Sequence, residues 1–340
     1  MSGKKLLFGG IAVLCLVGIF QVFKFISLSS QLKRAPLTSS KMSKVLTRKG
    51  LLQYIQSSKA LSASSRQIVL GNESGDLDSS ISSIVYSYFL SVNGKDEILP
   101  VLNYPSSDFV LRPETKAMFD KSNIRSSDLV FKDQIDFQSS NLEYVYLVDH
   151  NRLSRSQSFL APKVISVIDH HVDESDSLVN LKYKKIETVG SACTIVAEDI
   201  LKEYSLDESI ATLLLSAILS DTFNLDTNGD RTTDKDIHIA KQLASFINPN
   251  ESEKNVYSSI FEYVETAKYD TSSISSFDLL RKDYKQWTIE RDNNKNSTIM
   301  GISAVPLSFE EWDNRDSNLS LQFEKYSFQQ VCYIVHFYDP

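Results

Sequence analysis

The sequence predicts an α/β protein: a parallel sheet with helices on both faces, a smaller and shortened α/β domain after it, and a membrane-spanning helix before it. Three observations predict this. The runs YVYLV (144–148) and VISVI (164–168) are apolar without alternation, as in strands buried on both faces. Such runs alternate with segments whose apolar residues recur at helical spacing, the pattern of a parallel sheet with helical cover. The chain also opens on LLFGGIAVLCLVGIF (6–20), which carries no charge.

As a helix, residues 6–27 would reach roughly 33 Å at about 1.5 Å per residue, enough to cross a bilayer core. No small-x-small cleavage site follows at once, and no polar face marks a buried core helix, so residues 1–30 read as an uncleaved anchor. Lys4 and Lys5 precede it; Lys33, Arg34, Lys41 and Lys44 follow, and the count favours a body on the cytoplasmic or mitochondrial side. Residues 31–62 read as a basic linker. Four N-x-Ser/Thr sequons occur, at Asn72, Asn250, Asn296 and Asn318. A glycan at Asn72 would block the motif described below, which argues against a body exposed to glycosylation.

From residue 67 the pattern becomes strand, turn, helix. QIVLG (67–71) is a strand ending in glycine, and 79–90 carries Ile81, Ile84, Val85, Tyr88 and Phe89 at helical spacing. A strand at 98–102 and a helix at 111–122 follow. After the two apolar strands come helices near 192–204, 207–220 and 233–246. These define a catalytic domain over 63–248. NPNES marks a linker, and 255–340 forms the second domain, with a helix at 254–267, strands at 298–304 and 331–337, and a helix at 316–328.

The composition, 42% hydrophobic and 23% charged, is that of a globular protein. Its three cysteines, Cys15, Cys193 and Cys332, lack C-x-x-C spacing, which excludes a zinc ribbon and disfavours a disulfide framework. The net charge of −7 hides an asymmetry. Residues 1–72 hold 11 Lys and Arg and no acid, leaving 25 basic against 43 acidic groups in the remainder. An acidic body speaks against nucleic acid as partner.

Four acidic motifs fall where ligands collect in such sheets, beyond the carboxyl ends of strands. GNESGDLDS (71–79) places Asp76 and Asp78 between a strand and a helix; alone, helix capping explains it more simply than metal binding. LVDHN (147–151) puts Asp149 past an apolar strand, alone a turn more often than a ligand. VIDHH (167–171) joins Asp169, His170 and His171, in a chain with five histidines, and suits a divalent cation. In LSDTF (219–223), Asp221 ends the apolar helix LLLSAIL, where negative charge opposes the helix dipole and a cation or a local bond to Thr222 would offset it.

With YLVDHN, VIDHH, VGSACTIV (189–196), SAILSDTFN and LLRKDYKQW (279–287), the chain resembles the DHH phosphoesterase superfamily over about residues 65–338. Within it the chain is most similar to the fungal exopolyphosphatase branch, related to manganese-dependent inorganic pyrophosphatases and Prune-type proteins. The resemblance implies two divalent cations, Mg²⁺ or Mn²⁺. Asp76 and Asp78 would each bind one, Asp149 would bridge both, and His170 and Asp221 would complete the second site. Asn72 stands where the pyrophosphatase branch has a histidine ligand, which favours harder ions. His171 would contact phosphate and act as an acid, and Lys285 would reach phosphate from the second domain. Ser191 and Thr194 would lie nearby as ligands or as capping residues. Family members continue beyond the point matching Phe337, so the second domain is expected to be shortened. Arg281 and Lys282 would then either compensate in part or be solvated charge.

The implied activity is hydrolysis of phosphoanhydride bonds, releasing orthophosphate from inorganic polyphosphate. Hydrolysis of pyrophosphate or short nucleoside polyphosphates is the alternative within the same chemistry, and His150 is a feature of the pyrophosphatase branch. A membrane-anchored binding protein without turnover is the alternative outside it. Cleavage of single-stranded nucleic acid ranks last, for want of a basic, aromatic-rich strand-binding stretch.

Overall fold

The apolar runs assemble as expected into one sheet. The computed structural model describes residues 44–60, 65–94, 98–282, 284–291, 296–319, 321–322 and 332–335, with only the backbone for 285–291, 296–300 and 332–335. The expected anchor at 6–27 lies outside the described residues. Among those described, no helix is long and apolar enough to cross a membrane.

The first elements fall where a linker was expected. β1 (Lys44–Leu46) pairs in parallel with β7 (Tyr204–Leu206), and α1 (Arg48–Ala60) follows. Leu51 and Ile55, four apart, are buried on one side of α1 with Leu46. Each such side chain contributes about 1.5–3 kcal/mol on burial. Residues 44–60 are therefore part of the core and not a tether.

The main sheet runs β3 (Ile98–Val101), β2 (Gln67–Leu70), β4 (Tyr144–Val148), β5 (Val164–Asp169), β6 (Tyr183–Ile186), all parallel. The chain leaves β2, adds β3 on one side, then returns to place β4 on the other. That reversal opens a crevice at the carboxyl ends of β2 and β4, the usual ligand position in such sheets.

Alternate strand residues feed two cores. Val69, Tyr146, Val148, Ile165 and Ile168 face α2 (Leu77–Val92), α4 (Ala192–Leu201), α5 (Glu208–Asp221), α6 (Asp234–Ile247) and α7 (Glu253–Tyr269). Ile68, Leu70, Val145, Leu147, Val164 and Val167 face the other way. Helices on both faces were expected, but among the described residues this second face is covered by a 3₁₀ segment, Arg155–Lys163, and irregular chain carrying Val130, Leu142 and Leu178. The connection from β4 to β5 carries Pro162, which has no N–H to give to an α-helix.

The last lobe holds β8 (Tyr284–Arg291) antiparallel to β9 (Asn296–Ala304), with β10 (Cys332–Val335) parallel to β9. With α8 (Ser276–Lys282) and α9 (Phe309–Arg315) it closes its own small core of Ile274, Leu279, Leu280, Val305, Trp312 and Leu319. Strand β8 and helix α9 stand where no element was assigned from sequence, and the helix expected at 316–328 lies mostly outside the described residues. Arg281 pairs with Asp108, and Lys282 Nζ donates to the Leu111 carbonyl at 2.9 Å. Both tie this lobe to the sheet domain, which replaces the expectation of solvated charge.

Candidate metal centre

Each candidate carboxylate is set by the end of a regular element. Beyond β2 the chain turns at Gly75 with φ +59°, and Asp76 caps α2, its carboxylate accepting from the Ser79 amide at 3.0 Å. Asp78 lies one residue into the helix, 2% exposed, and accepts from the amides of Ala192 (2.6 Å) and Cys193 (2.8 Å) at the start of α4. A helix N-terminus holds an anion there, which locks the two helix starts together. The serines on α2 fit this crowding: Ser82 donates to Asp78 and Ser83 to the carbonyl of Ser79.

At the end of β4, Asp149 takes the left-handed conformation, φ +61°, and is 1% exposed. Asn72 Nδ2 donates to its Oδ2 at 2.7 Å. Asn72 Oδ1 already accepts from Ser74 Oγ and the Gly75 amide. Its amide is thus fully used in aiming Asp149, and a ligand role would require exchanging those bonds.

At the end of β5, three residues divide the labour. His170 Nδ1 lies 3.0 Å from the Val189 carbonyl, an acceptor only, so the proton sits on Nδ1 and Nε2 carries the lone pair. That Nε2 lies 3.3 Å from Asp149 Oδ1 and 3.8 Å from Asp78 Oδ2. Asp169, fully buried, accepts from Nδ1 of His171 at 2.8 Å and from Nδ2 of Asn151 at 2.5 Å. His171 is the exposed member, its ring 4.3 Å from that of His170, centre to centre. Asp149, His170 and His171 present ligand atoms within 4.8 Å of one another.

Asp221 ends α5. Thr222 bonds back to Ile218, and Asp221 Oδ2 is buried with no hydrogen-bond partner among the described residues. A cavity of about 550 Å³ collects Asp76, Asp78, Asp149, His170, His171 and Asp221, with Asp230 and Arg231 also in its wall. Five of the six expected metal ligands, from four strand and helix ends, therefore line one space, and the sixth, Asn72, is not in its wall. Lys285 lies on β8, and its side chain is outside the described residues.

The electrostatics call for a cation. Burial first, and then the charges of Asp78 and Asp76, push the Asp149 and Asp221 carboxyls well above the ordinary range; burial and Asp78 raise Asp76 as well. Burial opposes charge on His170, but Asp78, the Val189 carbonyl and Asp221 outweigh it and raise its pKa. Asp149 Oδ1 and Asp221 Oδ2 are both buried without a partner. Buried carboxylate oxygens of this kind cost several kcal/mol unless neutralised, as a rough magnitude. Hard oxygen donors with one or two imidazoles suit Mg²⁺ or Mn²⁺. The residues present fit a divalent ion.

Two further acids act at the centre outside the expected ligand set. Asp169 belongs to the VIDHH motif but serves as the orienting group for His171. Asp236, fully buried, accepts from the Gly190 amide, Thr194 Oγ1 and Thr233, pinning the loops over the cavity. The signal for Asp236 is the spacing Thr233-x-x-Asp236, a capping box. Ser191 caps α4 through the Cys193 amide. With Thr194 bound to Asp236, both residues have structural partners.

Residues 66–218 match the model of the DHH family, N-terminal domain. The chain carries a DHH family domain. Over 277 residues it is 34% identical to the exopolyphosphatase PRUNE1 of Bos taurus, covering 78% of this chain and 58% of that relative's length. It is 29% identical over 262 residues to the manganese-dependent inorganic pyrophosphatase of Methanocaldococcus jannaschii, 73% of this chain and 75% of that one. In fold, the DHH domain and its second lobe are similar to a solved family II inorganic pyrophosphatase-type structure of Methanococcus jannaschii. The TM-score is 0.54 at 24% identity, covering 80% of this chain and 83% of the other. The chain thus spans somewhat over half the length of the PRUNE1 protein it resembles.

Proposed function

We propose that the chain is a metal-dependent phosphoanhydride hydrolase that releases orthophosphate from inorganic polyphosphate. The observation that carries this reading is the pair of buried, unpartnered oxygens, Asp149 Oδ1 and Asp221 Oδ2, in one cavity with Asp76, Asp78 and His170. Relatives described as exopolyphosphatase and as manganese-dependent pyrophosphatase support the chemistry.

Asp76, Asp78, Asp149, His170 and Asp221 would hold two divalent ions, Mg²⁺ or Mn²⁺. When bound, such a pair neutralises phosphoryl charge and lets a water ionise near neutral pH. Asn72 serves the set by fixing Asp149. Asp169 fixes the His171 ring through Nδ1 and leaves Nε2 to meet the substrate; the imidazolium form would give its Nε2 proton to the leaving phosphate and keep the one on Nδ1. Lys285, on β8, would contact phosphate from the last lobe, which begins after α7 rather than at residue 255 as expected. The apolar run 6–27 and its basic flanks support a single-pass anchor, with the body on the cytoplasmic or mitochondrial side.

Phosphate release by the full chain with Mg²⁺ or Mn²⁺ tests the reading, using long-chain polyphosphate, tripolyphosphate and pyrophosphate. Turnover that Asp149→Ala abolishes is expected. Turnover unaffected by that substitution would remove the proposed centre from the chemistry. Preference for pyrophosphate would favour the second reading, to which the similarity over 75% of the archaeal pyrophosphatase points.

A further inference from the structure

The metal-site cavity has a neighbour. A second cavity, about 600 Å³, lies at the carboxyl ends of β2, β3, β4 and β5, and Asp149 and His171 are in the walls of both. Its remaining wall includes Asn72, Asn103, Gln157, Arg152 and Arg155.

The charges in this second wall are not balanced by one another. Glu73 is engaged by Lys132, and Asp169 by His171 and Asn151. Glu174 meets Arg152 only at 3.5 Å, with both side chains more than half exposed, a pair worth little in water. Arg155 has no acidic partner among the described residues. Its guanidinium is therefore available to an anion in the cavity, whereas Lys185, Lys202, Lys235 and Arg281 each hold a carboxylate. In the wall of the metal-site cavity, Arg231 likewise meets no carboxylate among the described residues; its guanidinium lies over the Phe223 ring at 5.0 Å.

The two arginines also stand on fixed backbone. Asn151, 3% exposed, bonds to Asp169, to the Val172 carbonyl at 2.9 Å and to the Glu174 amide at 2.6 Å. Gln157, also 3% exposed, is paired with Asn103 at 2.7 Å. Residues 152–156 are therefore held at both ends, three residues beyond Asp149. An arginine on a fixed backbone loses less freedom on binding phosphate than one on a loose loop.

We propose that the two cavities form one trough for a linear oligophosphate of three or more phosphoryl groups, with Arg152 and Arg155 taking the groups beyond those at the metal centre. This rests on the phosphoanhydride reading above and adds chain-length selection to it. Pyrophosphate, confined to the centre, does not reach these arginines. A longer chain does, through charge-assisted and bidentate hydrogen bonds. Arg231 stands at the opposite end.

The test uses the full chain and compares KM and kcat for pyrophosphate, tripolyphosphate and long-chain polyphosphate. Arg155→Ala and Arg152→Ala/Arg155→Ala are measured beside wild type, with Arg155→Lys as the conservative control. The ratio of KM for tripolyphosphate to KM for pyrophosphate is expected to rise about tenfold in Arg155→Ala, the effect of losing one charge-assisted contact, with kcat moving less. Arg155→Lys should recover part of it. An equal shift for both substrates, or no shift, would overturn the trough. If wild type cleaves none of the three, the phosphoanhydride reading fails, and equilibrium binding decides the trough. Tripolyphosphate should then bind more tightly than pyrophosphate, and Arg155→Ala should erase that difference; equal binding of the two to wild type would refute it.

Discussion

The Asp169 carboxylate accepts a hydrogen bond from Nδ1 of His171 at 2.8 Å, joining a fully buried acid to an exposed imidazole. Burial alone would raise this carboxyl, but the bond and charge of His171, with the bond from Asn151, hold it below the ordinary range. The acid therefore stays charged and keeps the His171 proton on Nδ1. Asp169→Asn offers an amide that can donate as well as accept, and so permits the other tautomer. The variant is expected to fold and to lose about 10- to 100-fold in turnover, as such supporting acids do. Steady-state phosphate release measures it, and full activity in Asp169→Asn would rule out the orienting role.

Asp78 carries a structural duty besides its place at the centre. Its two oxygens accept the amides of Ala192 and Cys193. Asp78→Ala leaves these buried donors without partners, at about 1–3 kcal/mol of stability. Asp78→Asn keeps one acceptor oxygen, so its loss should be smaller even though its metal affinity falls. Denaturant unfolding of the metal-free variants separates the two duties. Equal stability of Asp78→Ala and wild type would show that the amides are satisfied otherwise.

Metal removal should reverse the ordinary pH trend. The Asp149 and Asp221 carboxyls are raised by burial first and by neighbouring carboxylates second. With folded pKa values above the unfolded ones near about 4, the folded state binds protons more tightly. That contribution is present at low pH and is lost as pH rises through the folded values. In chelator, the melting temperature should therefore fall as pH rises above the unfolded values near about 4, and Asp221→Asn should flatten the slope. Mn²⁺ takes the place of the protons and should restore neutral-pH stability, by about 2.7 kcal/mol per site at a hundredfold excess over Kd. Below about pH 4 the opposite sign holds for Asp169, Glu198 and Asp199, whose pKa values are lowered. A chelated protein whose melting temperature rises from pH 5 to 8 would contradict the buried cluster.

Gly75 sets the position of Asp76. Its φ of +59° and the Tyr104 ring, 2.0 Å from where a Cβ would stand, leave room for hydrogen alone. The strain in Gly75→Ala is about 1–2 kcal/mol from the backbone before any clash, and the turn must shift. Lower metal affinity is expected from calorimetric titration with Mn²⁺, together with lower stability. Unchanged affinity would show that Asp76 is placed independently of the turn.

The candidate centre was legible in the sequence because its residues end apolar runs. Asp149, His170 and Asp221 each follow four or more buried hydrophobic residues, so strand and helix ends located them without knowledge of the contacts. What stayed hidden depends on distant partners. Helix α1 is rich in Ser, Lys and Gln; Leu51 and Ile55 are its fully buried apolar residues, with Leu52 and Tyr54 half-buried against the core, so its burial depends on elements far along the chain. Strand β6, YKKI, has the charged look of a sheet edge and no apolar run. The asymmetry of the two sheet faces escaped notice because both faces of a buried strand are apolar whether a helix or a 3₁₀ segment covers them. The bonds from Asp169 to His171 and from Asp236 to Gly190 and Thr194 are side-chain choices that no periodicity encodes.

The most direct measurement is anomalous diffraction from crystals of the protein soaked in Mn²⁺. Two Mn²⁺ peaks are expected inside the cavity bounded by Asp76, Asp78, Asp149, His170 and Asp221, and their loss in Asp149→Ala. Manganese bound elsewhere, or a cavity empty of it at saturating concentration, would contradict the metal centre and the hydrolysis built on it.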